Sequence, residues 1–128
     1  MKSILILLLA IANLALAANI NQAQTYKYKL TVINELDQDG YVAICNAPVD
    51  ENNVTLCGIP TLIKIGVNDI FAPAYENMYP IFTTLDEKSY SCASPSNPQK
   101  QLPLSSSRLI LKSFILNKDG KRVAILCS

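Results

Sequence analysis

Apolar and polar residues alternate in short runs along most of this chain, which is the pattern of half-buried β-strands. The clearest run is Tyr26-Lys27-Tyr28-Lys29-Leu30-Thr31-Val32, which places the two tyrosines, Leu30 and Val32 on one face. Turn residues separate it from further runs rich in Val, Ile, Thr, Tyr and Leu at 41–46, 54–57, 61–65, 67–71 and 81–85. The pattern predicts a mainly β domain, a small antiparallel β-sandwich or barrel of about six to eight strands.

The clearest hairpin is predicted near the C-terminus, where residues 108–117 and 122–127 flank the turn Lys118-Asp119-Gly120-Lys121. Its first strand is apolar on both faces, with Leu109, Leu111 and Ile115 on one and Ile110, Phe114 and Leu116 on the other. Such a strand is either central in the sheet or pairs with another chain. We expect a central strand, with homo-oligomerisation through Leu109 to Leu116 as the alternative.

A second turn is predicted at Asp39-Gly40, because both residue types tolerate the positive φ of tight turns. The stretch from Val32 through this turn to Cys45 resembles the stretch from Ile115 to Cys127. We interpret the resemblance as two hairpins that use the same turn chemistry rather than as an internal duplication. The one helical segment considered is a short helix near Ala74 to Met78.

The N-terminus has the features of a cleavable signal peptide. Lys2 is followed by an apolar stretch from Ile4 to Ala17, and Ala15-Leu16-Ala17 provides small residues for cleavage. The stretch is shorter than the roughly 18 or more residues of a transmembrane helix. We therefore predict a signal peptide at 1–17, a flexible lead-in at 18–24 and one β domain at 25–128. The expected location is secreted or periplasmic, with no membrane span after cleavage.

An even number of cysteines in an exported chain predicts disulfides. Three pairings of Cys45, Cys57, Cys92 and Cys127 are possible. We favour Cys45–Cys57, which would close a short loop between neighbouring strands, and Cys92–Cys127, which would tie a long loop to the last strand.

The balance of charges disfavours a nucleic-acid partner. The chain has 11 basic and 10 acidic side chains, and it becomes formally neutral once Lys2 leaves with the leader. Phosphate binding requires a basic patch, which this composition does not provide.

The chain contains no histidine, which excludes Ser-His-Asp and Cys-His nucleophiles and His-ligated metals. We therefore predict no cofactor, no metal and no catalysis, with a carboxylate-dependent hydrolase as the alternative. Its candidate carboxyl groups lie in hydrophilic turns, at Asp37, Asp39, Asp50, Glu51, Asp86 and Glu87. The segment Glu35 to Gly40 resembles the first half of a calcium loop, but Asn46 stands where the bidentate acid belongs, so a β-turn is the better interpretation.

Binding residues are predicted between two prolines, in the segment Tyr75, Glu76, Asn77, Met78 and Tyr79. Tyrosine combines an apolar ring with a hydroxyl group, and methionine adapts its shape, which suits recognition. The alternative is that both tyrosines cap one end of the β core.

A second candidate is the Ser- and Pro-rich connection from Ser89 to Ser107, which contains Tyr90 and Cys92. Long connections without regular structure are either functional or disordered. Asn53-Val54-Thr55 forms an N-glycosylation sequon, which matters only in a eukaryotic source.

The sequence as a whole predicts an exported β domain that binds a protein or glycan partner, and a bacterial secreted or periplasmic factor is one version of it. A structural subunit that assembles through its C-terminal hairpin is a further alternative.

Overall fold

The fold is described from a computed structural model that covers residues 28–49 and 55–128. The predicted leader and lead-in, the Asn53 sequon, and Asp50 and Glu51 lie outside these residues. The described residues form nine strands, and no helix among them is long and apolar enough to cross a membrane. The strands are β1 (Tyr28–Asn34), β2 (Gly40–Cys45), β3 (Thr61–Ile63), β4 (Gly66–Ala72), β5 (Tyr79–Thr84), β6 (Ser89–Ser94), β7 (Asn97–Gln101), β8 (Arg108–Leu116) and β9 (Arg122–Cys127).

One sheet contains all nine strands, in the order β3-β2-β5-β6-β9-β8-β1-β4, with β7 added beside β6. The sheet curls into a nearly closed barrel whose open seam lies between the two edge strands, β3 and β4. These two strands are consecutive in the chain and are joined only by Lys64 and Ile65. The prediction of a disulfide-bonded, mainly β sandwich or barrel is confirmed.

Two strand pairs are parallel, which the prediction of an antiparallel domain did not include. β1 lies parallel to β8, and β6 lies parallel to β9. β1 and β2 do not pair with each other, so the predicted hairpin at Asp39-Gly40 is wrong. The resemblance to the β8–β9 hairpin is local: the side-chain oxygens of Asn34 and Asn117 each accept the N–H two residues later. This is the same Asx-turn chemistry in two different connections.

The barrel interior is filled by alternate residues of the strands, as the pleat of a strand requires. In β1, Leu30 and Val32 are fully buried, and Tyr28 packs against the same core. The face predicted from the alternation in β1 is therefore correct over the described residues. The core continues through the large side chains of Ile44, Ile63, Phe82, Leu109, Leu111 and Ile125.

The predicted central strand is confirmed, because β8 lies between β1 and β9. The prediction of its two faces is wrong beyond Leu111. A bulge between Leu111 and Ser113 shifts the register, so Phe114 packs in the interior with Leu109 and Leu111. An extra residue at a bulge moves every later side chain to the opposite face.

Gly40 has a different role from the predicted turn glycine. It is the first residue of β2 and does not have positive φ, whereas Gly120 in the β8–β9 turn has φ 76°. A Cβ atom at residue 40 would overlap Cζ of Phe82 and lie 2.6 Å from the carbonyl oxygen of Thr83. Glycine is therefore required at residue 40 for close packing.

One other expectation is wrong. Residues 89–107 are not one irregular connection, because β6 and β7 occupy most of that stretch. Their Ser, Pro, Asn and Gln residues have poor strand propensity, but β6 pairs with β5, β7 and β9 and is anchored by Cys92. The short helix near 74–78 is absent, since the segment between β4 and β5 is a loop.

Both predicted disulfides are confirmed, Cys45–Cys57 and Cys92–Cys127. The first belongs to a small apolar cluster on the outer surface of the sheet, which contains Cys45, Cys57 and Ile81 and is packed by Val49 and Tyr79. Cys57 pairs with Cys45 in an antiparallel bridge beside the end of β2, and Val49 packs on the cluster; we call residues 46–49 and 55–57 the cover segment. The Asn46 N–H donates to Leu56 O at 2.9 Å, which holds the two parts of the cover segment together.

The connections between strands lie at two opposite ends of the barrel. The residues that join β1 to β2, β3 to β4, β5 to β6 and β8 to β9 share one end, which we call the polar end. The cover segment and the loops after β4 and β7 lie at the opposite end. Side chains that are distant in the sequence are therefore brought together at each end.

Candidate functional site

The predicted tyrosine segment consists of part of the loop between β4 and β5 and of Tyr79, the first residue of β5. Tyr75 and Met78 are half-buried and pack against the interior core, while Tyr79 packs against the outer cluster of Cys45, Cys57 and Ile81. The Leu104 N–H donates to Met78 O at 2.7 Å and joins this loop to the one after β7. Glu76 and Asn77 are exposed. The contacts of the two tyrosines are those expected if they cap the core, so binding by this segment stays a prediction.

Tyr90 is not brought to the tyrosine segment. It lies on β6 opposite Phe82, near the polar end, and its ring meets the ring of Phe114 edge-on at 5.2 Å between centroids. Phe114 also contacts Phe82 edge-on, and the guanidinium carbon of Arg122 lies 3.9 Å from its centroid. This aromatic stack fills the barrel and holds a cation over one ring.

Four of the six carboxyl groups considered for a hydrolase lie at the polar end, namely Asp37, Asp39, Asp86 and Glu87. Asp37 lies 3.9 Å from the guanidinium of Arg122, and Asp86 lies 3.9 Å from the ammonium of Lys88. The Thr84 hydroxyl donates to the carboxylate of Asp86 and lowers the pKa of this exposed group, with smaller contributions from Lys88 and Arg122. A general acid needs the opposite, a carboxyl group with a raised pKa.

Asp39 holds the polar end together. Its carboxylate accepts the Ile65 N–H at 2.9 Å, and Asn34 donates from its amide to Gln38 O at 2.8 Å. The segment considered as a calcium loop is thus organised as a turn by its own side chains and by the β3–β4 connection.

Exposed apolar side chains concentrate on either side of the barrel seam. We define the seam surface as six residues that are each at least 36% exposed, on β2, β3 and β4 and next to β3: Tyr41, Ile59, Leu62, Ile65, Val67 and Phe71. Tyr41 and Leu62 are direct cross-strand partners. Val67, at 72% exposed, and Phe71 lie on the same outer face of β4. A concentration of exposed apolar side chains on a soluble surface marks an interaction site more often than isolated exposed residues do.

The backbone of β4 also has an open edge at the seam. The Thr31 and Glu35 N–H groups donate to Ser107 O and Leu111 O, so odd-numbered residues of β1 direct their backbone groups toward β8. The even-numbered residues of β1 therefore face β4, where their partners Gly66, Asn68, Ile70 and Ala72 are also even-numbered. Val67, Asp69 and Phe71 consequently direct their N–H and C=O groups away from β1. Among the described strands, β4 pairs with β1 alone.

Asn68 forms the corner from which the seam opens. Its side-chain oxygen accepts the Lys64 N–H at 2.9 Å, and its amide donates to Lys64 O at 2.8 Å and to Gly66 O at 3.1 Å. The side chain thereby takes the place of a paired strand at Lys64. Gly66 has φ 104°, a conformation that L side chains rarely adopt, and this allows the sharp change of direction into β4.

The sequence pattern contains only part of the signal for the seam surface. The run at 67–71 is a predicted strand, and its alternation places Val67, Asp69 and Phe71 on one face. Val67 and Phe71 flank the charged Asp69 on this face, and Ile70 and Ala72 lie on the other. This arrangement indicates a strand with apolar residues on both faces. That β4 is an edge strand depends on the order of strands, which the local pattern does not contain.

Comparisons with known proteins place few limits on the function. No protein-family profile matches the sequence, and no curated protein matches it. One solved structure is similar, the NMR structure of a protein from Eubacterium rectale, at 12% sequence identity and a TM-score of 0.37. The match covers 80% of this chain and 88% of that protein.

Proposed function

We propose that this protein is exported and acts by binding a protein partner through the seam surface, without catalysis of its own. The observation that carries the proposal is the concentration of exposed apolar side chains at the two edge strands of a disulfide-bonded barrel. Two disulfides are compatible with an oxidising compartment, and this supports a secreted or periplasmic location together with the predicted leader.

A protein partner fits the seam surface better than a glycan does. Four of its six side chains are aliphatic, namely Ile59, Leu62, Ile65 and Val67. Sugars stack on the flat faces of aromatic rings, whereas aliphatic side chains gain most of their binding energy by burial against other apolar groups. Binding of a glycan by the tyrosine segment is the alternative from the sequence, supported by the exposure of Glu76 and Asn77.

The test compares two variants in one binding assay. Leu62→Ser removes an apolar side chain from the seam surface, and Leu116→Ser removes an equally exposed one at the end of β8, 56% against 51% exposed. Immobilised protein is presented to a glycan array and to exported proteins of its source. We expect a protein ligand that is lost with Leu62→Ser and retained with Leu116→Ser. Equal retention by both variants contradicts the proposal, and a glycan ligand that tolerates Leu62→Ser favours the alternative.

The export part of the proposal has its own test. We expect the exported protein to begin at Ala18 and to contain no free thiol. Mass spectrometry of the intact protein, with and without thiol alkylation, measures both. An uncleaved N-terminus or four alkylated cysteines contradicts this part.

A further inference from the structure

We propose that the free edge of β4 binds an extended segment of the partner as an added strand, and that this segment has a basic residue between two apolar residues at alternate positions. The inference rests on the proposed function and specifies the mode of binding. Edge strands with unpaired backbone groups are templates for an additional strand.

The edge is long enough to bind and presents a regular array of groups. Val67, Asp69 and Phe71 each direct an N–H donor and a C=O acceptor outward, as derived above from the β1–β8 hydrogen bonds. Their side chains lie on the outer face, where a directly opposed residue of an added strand has its Cβ within about 5 Å. Backbone hydrogen bonds supply affinity in such complexes, and side-chain pairs supply specificity.

The side chains along the edge select the partner. Val67 and Phe71 are 72% and 60% exposed, so apolar residues opposite them would bury surface that is now in water. Between them, the carboxylate of Asp69 receives the Thr31 hydroxyl at 3.0 Å and lies 3.7 Å from the ammonium of Lys29. Its side chain is still 54% exposed, which leaves room for a second cation on the side away from β1. The complementary segment is therefore apolar, basic, apolar at every second residue.

A second copy of this chain fits the edge less well. The antiparallel register that pairs the whole of β4 with its copy places Val67 opposite Phe71 and Asp69 opposite Asp69. Like charges that are directly opposed destabilise a strand pair. A shift by one residue places the inner face against the outer face, and a shift by two shortens the pairing. A heterologous segment with a central cation avoids this repulsion.

The edge of β7, which is added beside β6, shows that the openness of β4 is local. β7 is five residues long, contains Pro98, which lacks an N–H group, and exposes Lys100. Proline and lysine on an edge prevent the addition of strands. β4 has seven residues and contains neither proline nor lysine.

The test uses the disulfide-bonded protein and two synthetic heptapeptides with blocked ends. Both contain valine at the second and sixth positions and threonine elsewhere, and the central residue is lysine in one and glutamate in the other. We expect the lysine peptide to slow amide exchange at Val67, Asp69 and Phe71, measured by NMR, and to bind about fivefold more tightly than the glutamate peptide. Asp69→Lys should reverse the preference. N-methylation of the peptide amides that face the edge should abolish the binding of either peptide.

Each other outcome overturns the inference. Unchanged exchange at the three amides with millimolar lysine peptide contradicts strand addition. If a partner requires Leu62 for binding but does not protect these amides, the proposed function stands and strand addition at β4 is wrong. Concentration-dependent association of the protein alone, with protection of the same amides, identifies a second copy as the occupant. Should Asp69→Lys fail to fold, the N-methylated peptides still decide the question on the unmodified protein.

Discussion

The outer surface of the sheet is covered at Cys45 of β2 and Ile81 of β5 and bare over β4. On the covered side, the cover segment and the Cys45–Cys57 disulfide lie over Ile81, which is 3% exposed. On the bare side, no segment within 28–49 or 55–128 covers Val67 and Phe71 in this way, and both side chains are mostly exposed. The same barrel thus encloses one outer apolar cluster and leaves another exposed. The exposed apolar residues are therefore a local property of the strands on either side of the seam. Substitutions in the covered and in the bare region should have different effects.

Removal of the Cys45–Cys57 disulfide should have the largest effect on stability. The double variant Cys45→Ala and Cys57→Ala is expected to lower the free energy of unfolding by about 4 kcal/mol. About 3 kcal/mol of this comes from the entropy of the unfolded chain, and the rest from looser burial of the outer cluster. Denaturation by urea under non-reducing conditions measures the loss. A change below about 1 kcal/mol would show that the cover segment does not need its disulfide.

Truncation of one apolar side chain on each side should separate the two surfaces directly. Ile81→Ala is expected to cost about 3 kcal/mol, because it leaves a cavity beneath the cover segment. Val67→Ala should change stability by less than about 0.5 kcal/mol, because its side chain is already in water. Thermal and urea unfolding of the two variants provide the comparison. Similar losses would mean that β4 is covered in solution.

Release of the cover segment should have an intermediate effect. The side chain of Gln101 on β7 accepts the Val49 N–H at 2.9 Å and donates to Val49 O at 2.6 Å. Gln101→Ala leaves both backbone groups without this partner and should cost about 2 kcal/mol. Amide exchange at residues 46–49 should accelerate, whereas Gln99→Ala, at an exposed position on the same strand, should leave it unchanged. If amide exchange at residues 46–49 stays slow in both variants, the Cys45–Cys57 disulfide alone anchors this segment.

Acid should produce the smallest effect, and at a site that belongs to neither surface. The pKa of Asp86 is lowered in the folded protein, chiefly by the Thr84 hydroxyl, below its ordinary value of 3.8. A depressed folded pKa adds stability above the unfolded pKa, and this stability is lost as pH falls through the folded value. The difference between wild type and Asp86→Asn should therefore begin to shrink as the pH falls below 3.8 and should disappear once the pH lies below the folded pKa of Asp86. Asp119→Asn, in the exposed β8–β9 turn, is the control and should not produce this pH-dependent difference in stability. If the difference between wild type and Asp86→Asn persisted at low pH, the lowered pKa of Asp86 would not be its cause.

Local patterns predicted the elements of this fold better than their arrangement. The alternation in β1, the β8–β9 turn with Gly120 and both disulfides were correct, because each depends on a short stretch of chain or on cysteine spacing. The parallel pairs, the bulge after Leu111 and the ladder of β6 were missed. Each of these depends on contacts between distant residues, which can override weak local propensity.

The candidate site was harder to predict than the fold. Aromatic composition drew attention to Tyr75 and Tyr79, but their rings pack against the core and the outer cluster. The residues that distinguish the seam are ordinary aliphatic ones such as Leu62 and Val67, and they become distinctive only when their strands lie at the open edges of the sheet.

The parallel pairing of β1 with β8 restricts the order in which this protein can fold. A chain that emerges from its N-terminus exposes β1 and its antiparallel partner β4 long before β8 appears. Likewise, β6 emerges before its parallel partner β9, and the Cys92–Cys127 disulfide cannot form until Cys127 has emerged. Pairings between such distant segments form slowly because a long loop must close first. The barrel therefore assembles late, after most of the chain has emerged.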